Sequence, residues 1–169
     1  MITFQILSKS ANYTVKIAKT LAPYFNLGDV IVLDGDLGTG KTQFVKGFTE
    51  ALGSTDLVTS PTFTIAQFYN CPKGSVLHID TYRLASVNEF KDTALADFFP
   101  QSIVLIEWGS KIVDELEEYI CIKFENVAAN KNHRTVTFSA YGQESAEKIK
   151  LLHQQMGKGF LHVPTHRDV

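Results

Sequence analysis

Residues 30–42 read VIVLDGDLGTGKT, and this segment decides the fold. The apolar run at residues 30–33 is typical of a parallel strand that is buried on both faces. Residues 35–42 then match the pattern G-x-x-x-x-G-K-[ST] at every fixed position, and a helix is predicted over residues 41–52, ended by Gly53. A strand, a glycine-rich loop and a helix in this order predict a phosphate-binding site in an α/β fold.

The chemistry of this loop explains the residue types. Its glycines let successive backbone N–H groups converge on phosphate oxygens, and the helix N-terminus adds its positive end. Lys41 is expected to contact the β- and γ-phosphates, and the Thr42 hydroxyl to ligate Mg²⁺. A glycine-rich turn that matches by accident is disfavoured because a Lys-Thr pair is also required. The predicted nucleotide-binding residues are Asp36, Leu37, Gly38, Thr39, Gly40, Lys41, Thr42 and Gln43.

Two further apolar runs end in a carboxylate: VLHID at residues 76–80 and IVLIE at residues 103–107. A phosphate-loop site needs an acid at the end of a neighbouring buried strand, and parallel strands bring these ends to one crevice. A lone acid at a strand end is commonly only a solvated turn residue. We predict Lys41, Asp80 and Glu107 as catalytic, and Thr42, Asp80 and Glu107 as metal ligands. The sequence does not decide which acid contacts the metal directly; we favour Glu107, with Asp80 sharing the shell.

A polar, turn-rich segment at residues 54–61 leads into SPTFT at residues 60–64. Hydroxyls in a mobile loop can sense the γ-phosphate and its metal, so Ser60 and Thr62 are predicted switch residues. A hydroxylated turn before a strand is the simpler alternative. Trp108 follows Glu107, and although a lone tryptophan is more often a core residue, this position predicts contact with solvent or a partner.

The rest of the chain predicts one P-loop NTPase domain over residues 1–156. We expect a mixed, mostly parallel sheet with helices on both faces. A helix capped by Ser8 or Ser10 follows a first strand, Ser86 and Glu89 form a capping box, and residues 70–74 turn a hairpin. Residues 119–124 and 135–138 predict a second hairpin, residues 145–156 a last helix, and residues 157–169 a weakly ordered tail.

Composition narrows the class of protein. The 169 residues carry a net charge of −2 and only three arginines, which does not indicate a nucleic-acid binder. Cys71 and Cys121 are predicted to be free thiols. We find no apolar run long enough for a signal peptide or a membrane span, so we expect a cytoplasmic protein with no membrane partner.

The sequence also bears on which nucleotide is bound and on which class of reaction is catalysed. Guanine-specific proteins carry Asn-Lys-x-Asp, whereas residues 130–133 read NKNH and are predicted to lie in a hairpin loop. The missing acid favours ATP over GTP. Small-molecule kinases usually close an arginine-bearing lid, and the scattered arginines disfavour that alternative without excluding it.

The segments GDLGTGKT, SPTFT, HIDTYRL and IEWGSKI, in this order and at these separations, resemble the TsaE family of bacterial tRNA threonylcarbamoyladenosine biosynthesis ATPases. The resemblance covers about residues 6–152. It implies a Mg²⁺-dependent ATPase that binds the paralogous protein pair which installs threonylcarbamoyl on adenosine 37 of tRNAs reading codons beginning with A. Hydrolysis would drive turnover of that assembly, and tRNA would be contacted mainly through it.

The family's functional positions can be carried over individually. Its phosphate-loop lysine and threonine fall on Lys41 and Thr42, its acids on Asp80 and Glu107, and its tryptophan on Trp108. Its switch-like loop falls on residues 60–64. A stand-alone small-molecule kinase remains the alternative, and a nucleotide-gated binding protein is third.

Overall fold

The computed structural model describes residues 3–157, and in this part of the chain seven strands form one sheet. Their order across the sheet is β1-β7-β6-β2-β5-β4-β3. The strands are β1 (Thr3–Ser8), β2 (Val30–Asp34), β3 (Ala66–Cys71), β4 (Gly74–Asp80), β5 (Ser102–Glu107), β6 (Tyr119–Val127) and β7 (Asn130–Tyr141). The helices are α1 (Ala11–Leu21), α2 (Lys41–Ala51), α3 (Val87–Asp92) and α4 (Gln143–Met156), with short 3-10 helices at Ala22–Tyr24, Leu95–Gln101, Gly109–Lys111 and Val113–Glu115.

The centre of the sheet is parallel and its outer parts are antiparallel. β2 pairs in parallel with β5 and β6, and β4 pairs in parallel with β5. The β1–β7, β6–β7 and β3–β4 pairings are antiparallel. The predicted mixed sheet is confirmed, but among residues 3–157 parallel pairings are half of the total rather than most of it. The two hairpins, β3–β4 and β6–β7, are antiparallel because short turns connect them, and β1 adds a third antiparallel pairing beside β7.

Helices cover both faces of the sheet, as predicted. Ile31 and Leu33 of β2 point into a core shared with α1, α2 and α4, whereas Val30 and Val32 point into a second core that includes α3. The predicted burial of β2 on both faces is confirmed, because Val30–Leu33 are all buried. β2 is also the central strand of the sheet, and the glycine-rich segment at residues 35–42 follows it directly.

Side-chain caps start α1 and α3. Ser10, rather than Ser8, caps α1 and accepts a hydrogen bond from the Tyr13 N–H. Ser86 accepts the Glu89 N–H at the start of α3, which confirms the predicted cap. The Glu89 carboxylate in turn accepts a hydrogen bond from the Ala85 N–H. In a standard capping box it would accept from the N–H of the N-cap residue, here Ser86.

Two boundaries differ from the sequence prediction. Strand β3 begins at Ala66 rather than at residue 64, because the N–H groups of Thr64 and Ile65 both donate to the Pro61 carbonyl and close a turn. Strands β6 and β7 are longer than predicted and pair up to Val127 and Asn130. Residues 130–133 were predicted in the hairpin loop; they lie instead at the start of β7.

Other predictions concern cysteines, membrane spans and the tail. Cys71 and Cys121 are free cysteines in the structure. No helix within residues 3–157 has both the length and the apolar character needed to cross a membrane. The predicted weakly ordered tail falls almost entirely on residues 158–169, which lie outside the described residues.

Candidate active site

The loop between β2 and α2 depends on glycines with positive φ. Gly35, Gly38 and Gly40 have φ of 140°, 77° and 107°. At Gly35 a Cβ atom would lie 2.5 Å from the Phe124 carbonyl oxygen, so this position also lacks space for a side chain. The first N–H groups of a helix have no intrahelical acceptor, and at the start of α2 the N-cap residue Gly40 has no side chain to accept from them. These N–H donors and the positive end of the helix dipole could together bind an anion.

The predicted nucleotide-binding residues divide into an exposed rim and a buried base. Asp36, Leu37, Gly38 and Gln43 are exposed, with Leu37 at 89%. Thr39 is buried, and its hydroxyl donates to the Asp36 carbonyl at 2.7 Å. This hydrogen bond stabilises the loop on its buried side, while the exposed residues remain accessible to solvent.

Lys41 is buried inside the loop. Its Nζ donates to the Gly35 carbonyl at 2.5 Å and to the Asp36 carbonyl at 2.9 Å. The ammonium also lies 4.3 Å from the centre of the Trp108 ring. Burial lowers the pKa of Lys41, and the neighbouring carboxylates, Glu107 foremost, partly offset that effect. The result is a shielded positive charge at the centre of the glycine loop.

Thr42 and Glu107 meet across the crevice. Glu107 ends β5 beside Leu33 of β2, and the Thr42 Oγ1 donates to its Oε1 at 3.0 Å. A hydroxyl that donates its proton keeps its lone pairs for a cation. The other carboxylate oxygen, Oε2, has no hydrogen-bond partner within residues 3–157. These oxygens are suitable ligands for Mg²⁺.

Asp80 lies next to Glu107, because the two residues are in register on β4 and β5. Its Oδ1 accepts the Tyr82 N–H at 2.8 Å, and its Oδ2 accepts the Thr62 hydroxyl at 2.9 Å. The Ser60 hydroxyl is 2.8 Å from that of Thr62. Of the two predicted switch residues, Thr62 therefore contacts an acid directly, whereas Ser60 reaches it through Thr62.

These side chains do not form a metal centre by themselves. No group of three or more His, Cys, Asp or Glu residues in the described part of the chain is arranged to hold a metal ion. Mg²⁺ is commonly bound by one or two carboxylates, with substrate phosphates and water as its other ligands.

Trp108 adopts a backbone conformation that is uncommon for a large side chain. Its φ is 58°, in the left-handed region, which costs on the order of 1–3 kcal/mol. The Trp108 N–H donates to the Leu33 carbonyl, and its own carbonyl accepts the Thr81 hydroxyl at 2.7 Å. These bonds hold the half-buried ring against Lys41 and Tyr82. The ring thus borders the phosphate loop and is partly open to solvent.

Sequence reasoning assigned no function to His78 or Tyr69 and could not orient Arg83. His78 is fully buried, and its Nε2 lies 2.8 Å from the Glu107 Oε1. Strand alternation would have placed it on the same face as Asp80, two residues later. Tyr69 contacts His78 from β3, which only the strand register reveals. The Arg83 guanidinium lies 4.2 Å from the centre of the exposed Phe63 ring.

Comparisons with known proteins show the family of this chain. Residues 8–136 match the family described as "Threonylcarbamoyl adenosine biosynthesis protein TsaE". The TsaE protein of Bacillus subtilis is 42% identical over 76% of this chain and 80% of its own length. The TsaE protein of Treponema pallidum is 36% identical over 75% of this chain and 93% of its own.

A solved structure shows the same architecture. A crystal structure of Bacillus subtilis YdiB superposes with a TM-score of 0.74 at 32% identity, covering 90% of this chain and 95% of the other. The family match spans the phosphate loop, both acids and Trp108. This chain therefore belongs to the TsaE family of tRNA threonylcarbamoyladenosine biosynthesis proteins.

Proposed function

We propose that this chain binds ATP with Mg²⁺ and hydrolyses it to drive the protein assembly that forms threonylcarbamoyladenosine on tRNA. One observation carries the proposal. The glycine loop with Lys41 and Thr42 lies at the edge of the sheet where Glu107 and Asp80 end adjacent parallel strands. In α/β sheets this end of the strands is where ligands bind.

Lys41, Thr42 and the start of α2 bind the phosphates in this proposal. The N–H groups of the first turn of α2 donate to phosphate oxygens, and the Lys41 ammonium exchanges its loop carbonyls for the β- and γ-phosphates. ATP is favoured over GTP because residues 130–133 lack the guanine-reading acid and lie on β7, away from the loop position that this signature requires. Exposed residues of the loop, Leu37 among them, would border the bound nucleotide.

Thr42 and Glu107 fit a magnesium ion, and Asp80 fits a place in its outer shell. Held by these residues, the ion would supply positive charge that stabilises the phosphoryl group during transfer. Thr42 offers hydroxyl lone pairs while its O–H donates to Oε1 of Glu107, and Glu107 offers Oε2. Asp80 is already hydrogen-bonded by Thr62 and Tyr82, which suits a residue that orients water rather than one that binds the ion directly.

The partner in this proposal is the paralogous protein pair of the threonylcarbamoyl pathway. The family and the named relatives belong to tRNA threonylcarbamoyladenosine biosynthesis, which supports a place beside that pair. The only arginine among residues 54–84 is Arg83, and it packs on Phe63 instead of facing Asp80. A docked partner would order residues 59–64 or supply positive charge, and such help accelerates other P-loop enzymes by roughly 10³–10⁵. We place the protein in the cytoplasm, with tRNA contacted mainly through the pair.

The test is the steady-state rate of ATP hydrolysis with and without the purified pair. We expect a low rate for the isolated chain, an increase when the pair is added, and a smaller increase for Trp108→Ala, whose ring borders the loop. A parallel assay adds candidate small-molecule phosphate acceptors. The proposal would be refuted if the isolated chain hydrolysed ATP as fast as it does with the pair and also phosphorylated a small-molecule acceptor. That result would identify the chain as a small-molecule kinase.

A further inference from the structure

A fully buried histidine, His78, contacts Glu107 of the proposed site. His78 lies on β4, and both of its ring nitrogens have partners: Nε2 is 2.8 Å from the Glu107 Oε1, and Nδ1 is 3.1 Å from the Tyr69 hydroxyl. A polar ring inside an apolar core costs free energy unless it is hydrogen-bonded. The bond to Glu107 reaches the proposed active site, and the bond to Tyr69 reaches a residue that contacts the loop. Polar contacts, as well as packing, therefore fix the position of the His78 ring.

The direction of these hydrogen bonds follows from the donors available. A carboxylate accepts only, so the proton that joins His78 to Glu107 must lie on Nε2. In a neutral ring Nδ1 then accepts, and it shares the single proton of the Tyr69 hydroxyl with two other acceptors, the Gln67 Oε1 at 2.8 Å and the Thr59 carbonyl at 3.2 Å. Burial raises the pKa of Tyr69, so the hydroxyl keeps the proton that it donates.

The same hydroxyl touches the predicted switch loop. Tyr69 Oη lies 3.2 Å from the Thr59 carbonyl, next to Ser60. Three residues farther along the chain, Thr62 donates directly to Asp80. The loop at residues 59–62 thus contacts both acids, Asp80 through one hydrogen bond and Glu107 through Tyr69 and His78.

We propose that His78 is a positioning residue: it fixes the rotation of the Glu107 carboxylate and links that carboxylate, through Tyr69, to the loop at residues 59–62. This inference rests on the proposed ATPase function. Oε1 of Glu107 accepts from both His78 and Thr42, which leaves Oε2 without a hydrogen-bond partner among residues 3–157 and available to a metal ion. Without the imidazole, Thr42 alone holds the carboxylate, and one bond does not define its plane.

The experiment compares three variants of the full chain with a matched control. His78→Leu removes both bonds, His78→Gln keeps an amide donor near the position of Nε2, and Tyr69→Phe removes only the hydroxyl. Val76→Ala shortens a buried side chain on the same face of the same strand; Val76 lies opposite Tyr69 on β3, but the change removes none of these hydrogen bonds. Each variant is measured for thermal unfolding, for kcat and KM of ATP hydrolysis with the partner pair, and for dependence on Mg²⁺ concentration.

We expect His78→Leu to lower kcat by roughly 10- to 100-fold, the usual effect of losing a hydrogen bond to a charged group, with KM for ATP nearly unchanged. His78→Gln should recover part of the loss, and Tyr69→Phe should show a smaller loss. Val76→Ala should lose stability but keep kcat. A folded His78→Leu protein with wild-type kcat, or an equal loss of kcat in Val76→Ala, would overturn the inference.

A spectroscopic readout separates this inference from the ATPase proposal. In nitrogen-15 spectra of the histidine rings, His78 should appear as the Nε2–H tautomer. Tyr69→Phe should shift its Nδ1 resonance, whereas Val76→Ala should not. If the wild-type protein hydrolyses no ATP with the pair, the ATPase proposal fails; the Nδ1–H tautomer, or a Nδ1 resonance insensitive to Tyr69→Phe, would refute the His78 link itself.

Discussion

Thr42→Val is the sharpest test of the magnesium ligands. Valine keeps the shape of the threonine side chain and removes only the hydroxyl that donates to the Glu107 Oε1 at 3.0 Å. Glu107 still accepts from His78, so the ligand-free fold should lose little stability. The bound state loses more, because the hydroxyl oxygen is the metal ligand that Thr42 is proposed to supply.

The magnitude follows from the kind of bond that is lost. An interaction of a polar group with a charged partner contributes about 1.5–3 kcal/mol, which corresponds to a loss of affinity of roughly 10- to 100-fold. Calorimetric titration of ATP with and without Mg²⁺ measures it. We expect Thr42→Val to lose affinity only when Mg²⁺ is present, and Thr42→Ser to bind like the wild type. An equal loss without Mg²⁺, or none with it, would refute the assignment of Thr42 to the metal.

Three further predictions concern the acids, a helix cap and the glycine loop. Asp80→Asn and Glu107→Gln should each reduce hydrolysis far more than ATP binding, and the double variant should lose less than the two losses combined; fully additive losses would place the acids in separate sites. Glu118 accepts the N–H groups that start α4, and these bonds, with that of Ser145 foremost, lower its pKa from 4.5. The stabilisation by the Glu118 carboxylate is therefore complete above pH 4.5 and is lost as pH falls through the lower pKa of the folded state. Glu118→Gln should cost about 1 kcal/mol of unfolding free energy at neutral pH and nothing in strong acid, as measured by thermal unfolding at several pH values. A stability difference from the wild type that persists in acid would contradict this prediction. Gly35→Ala should destabilise by about 2–4 kcal/mol and Gly38→Ala by about 1–2 kcal/mol in denaturant unfolding, because only the first adds a clash with the Phe124 carbonyl to the strain of positive φ; equal losses would contradict this reasoning.

Much of the fold could be predicted because local signals agreed with one another. The apolar run of β2, the glycine loop and the start of α2 are contiguous in sequence, and they fix one another's positions. The strand ends at Asp80 and Glu107 were predictable because parallel neighbours deliver their carboxyl ends to one edge. That prediction places them in one crevice but does not give their hydrogen bonds.

The remaining features depend on contacts between distant segments. The share of antiparallel pairing required knowing that β1 joins the sheet beside β7, which no local pattern indicates. The link from Tyr69 to His78 depends on the register of β3 against β4, and the turn after Pro61 shifted the start of that strand. The position of the Trp108 ring follows from a positive φ that sequence propensity disfavours.

The most direct test of the central claim is a calorimetric titration of ATP and Mg²⁺ into the wild-type protein, Lys41→Ala and Lys150→Ala. Lys41 is buried in the glycine loop, whereas Lys150 lies on α4 and pairs with Glu147 at the surface. Losing a charged contact to phosphate should weaken binding at least about 10-fold. We predict that loss for Lys41→Ala in a folded protein, and wild-type affinity for Lys150→Ala. Unchanged affinity in folded Lys41→Ala would contradict the claim that this crevice is the ATP site.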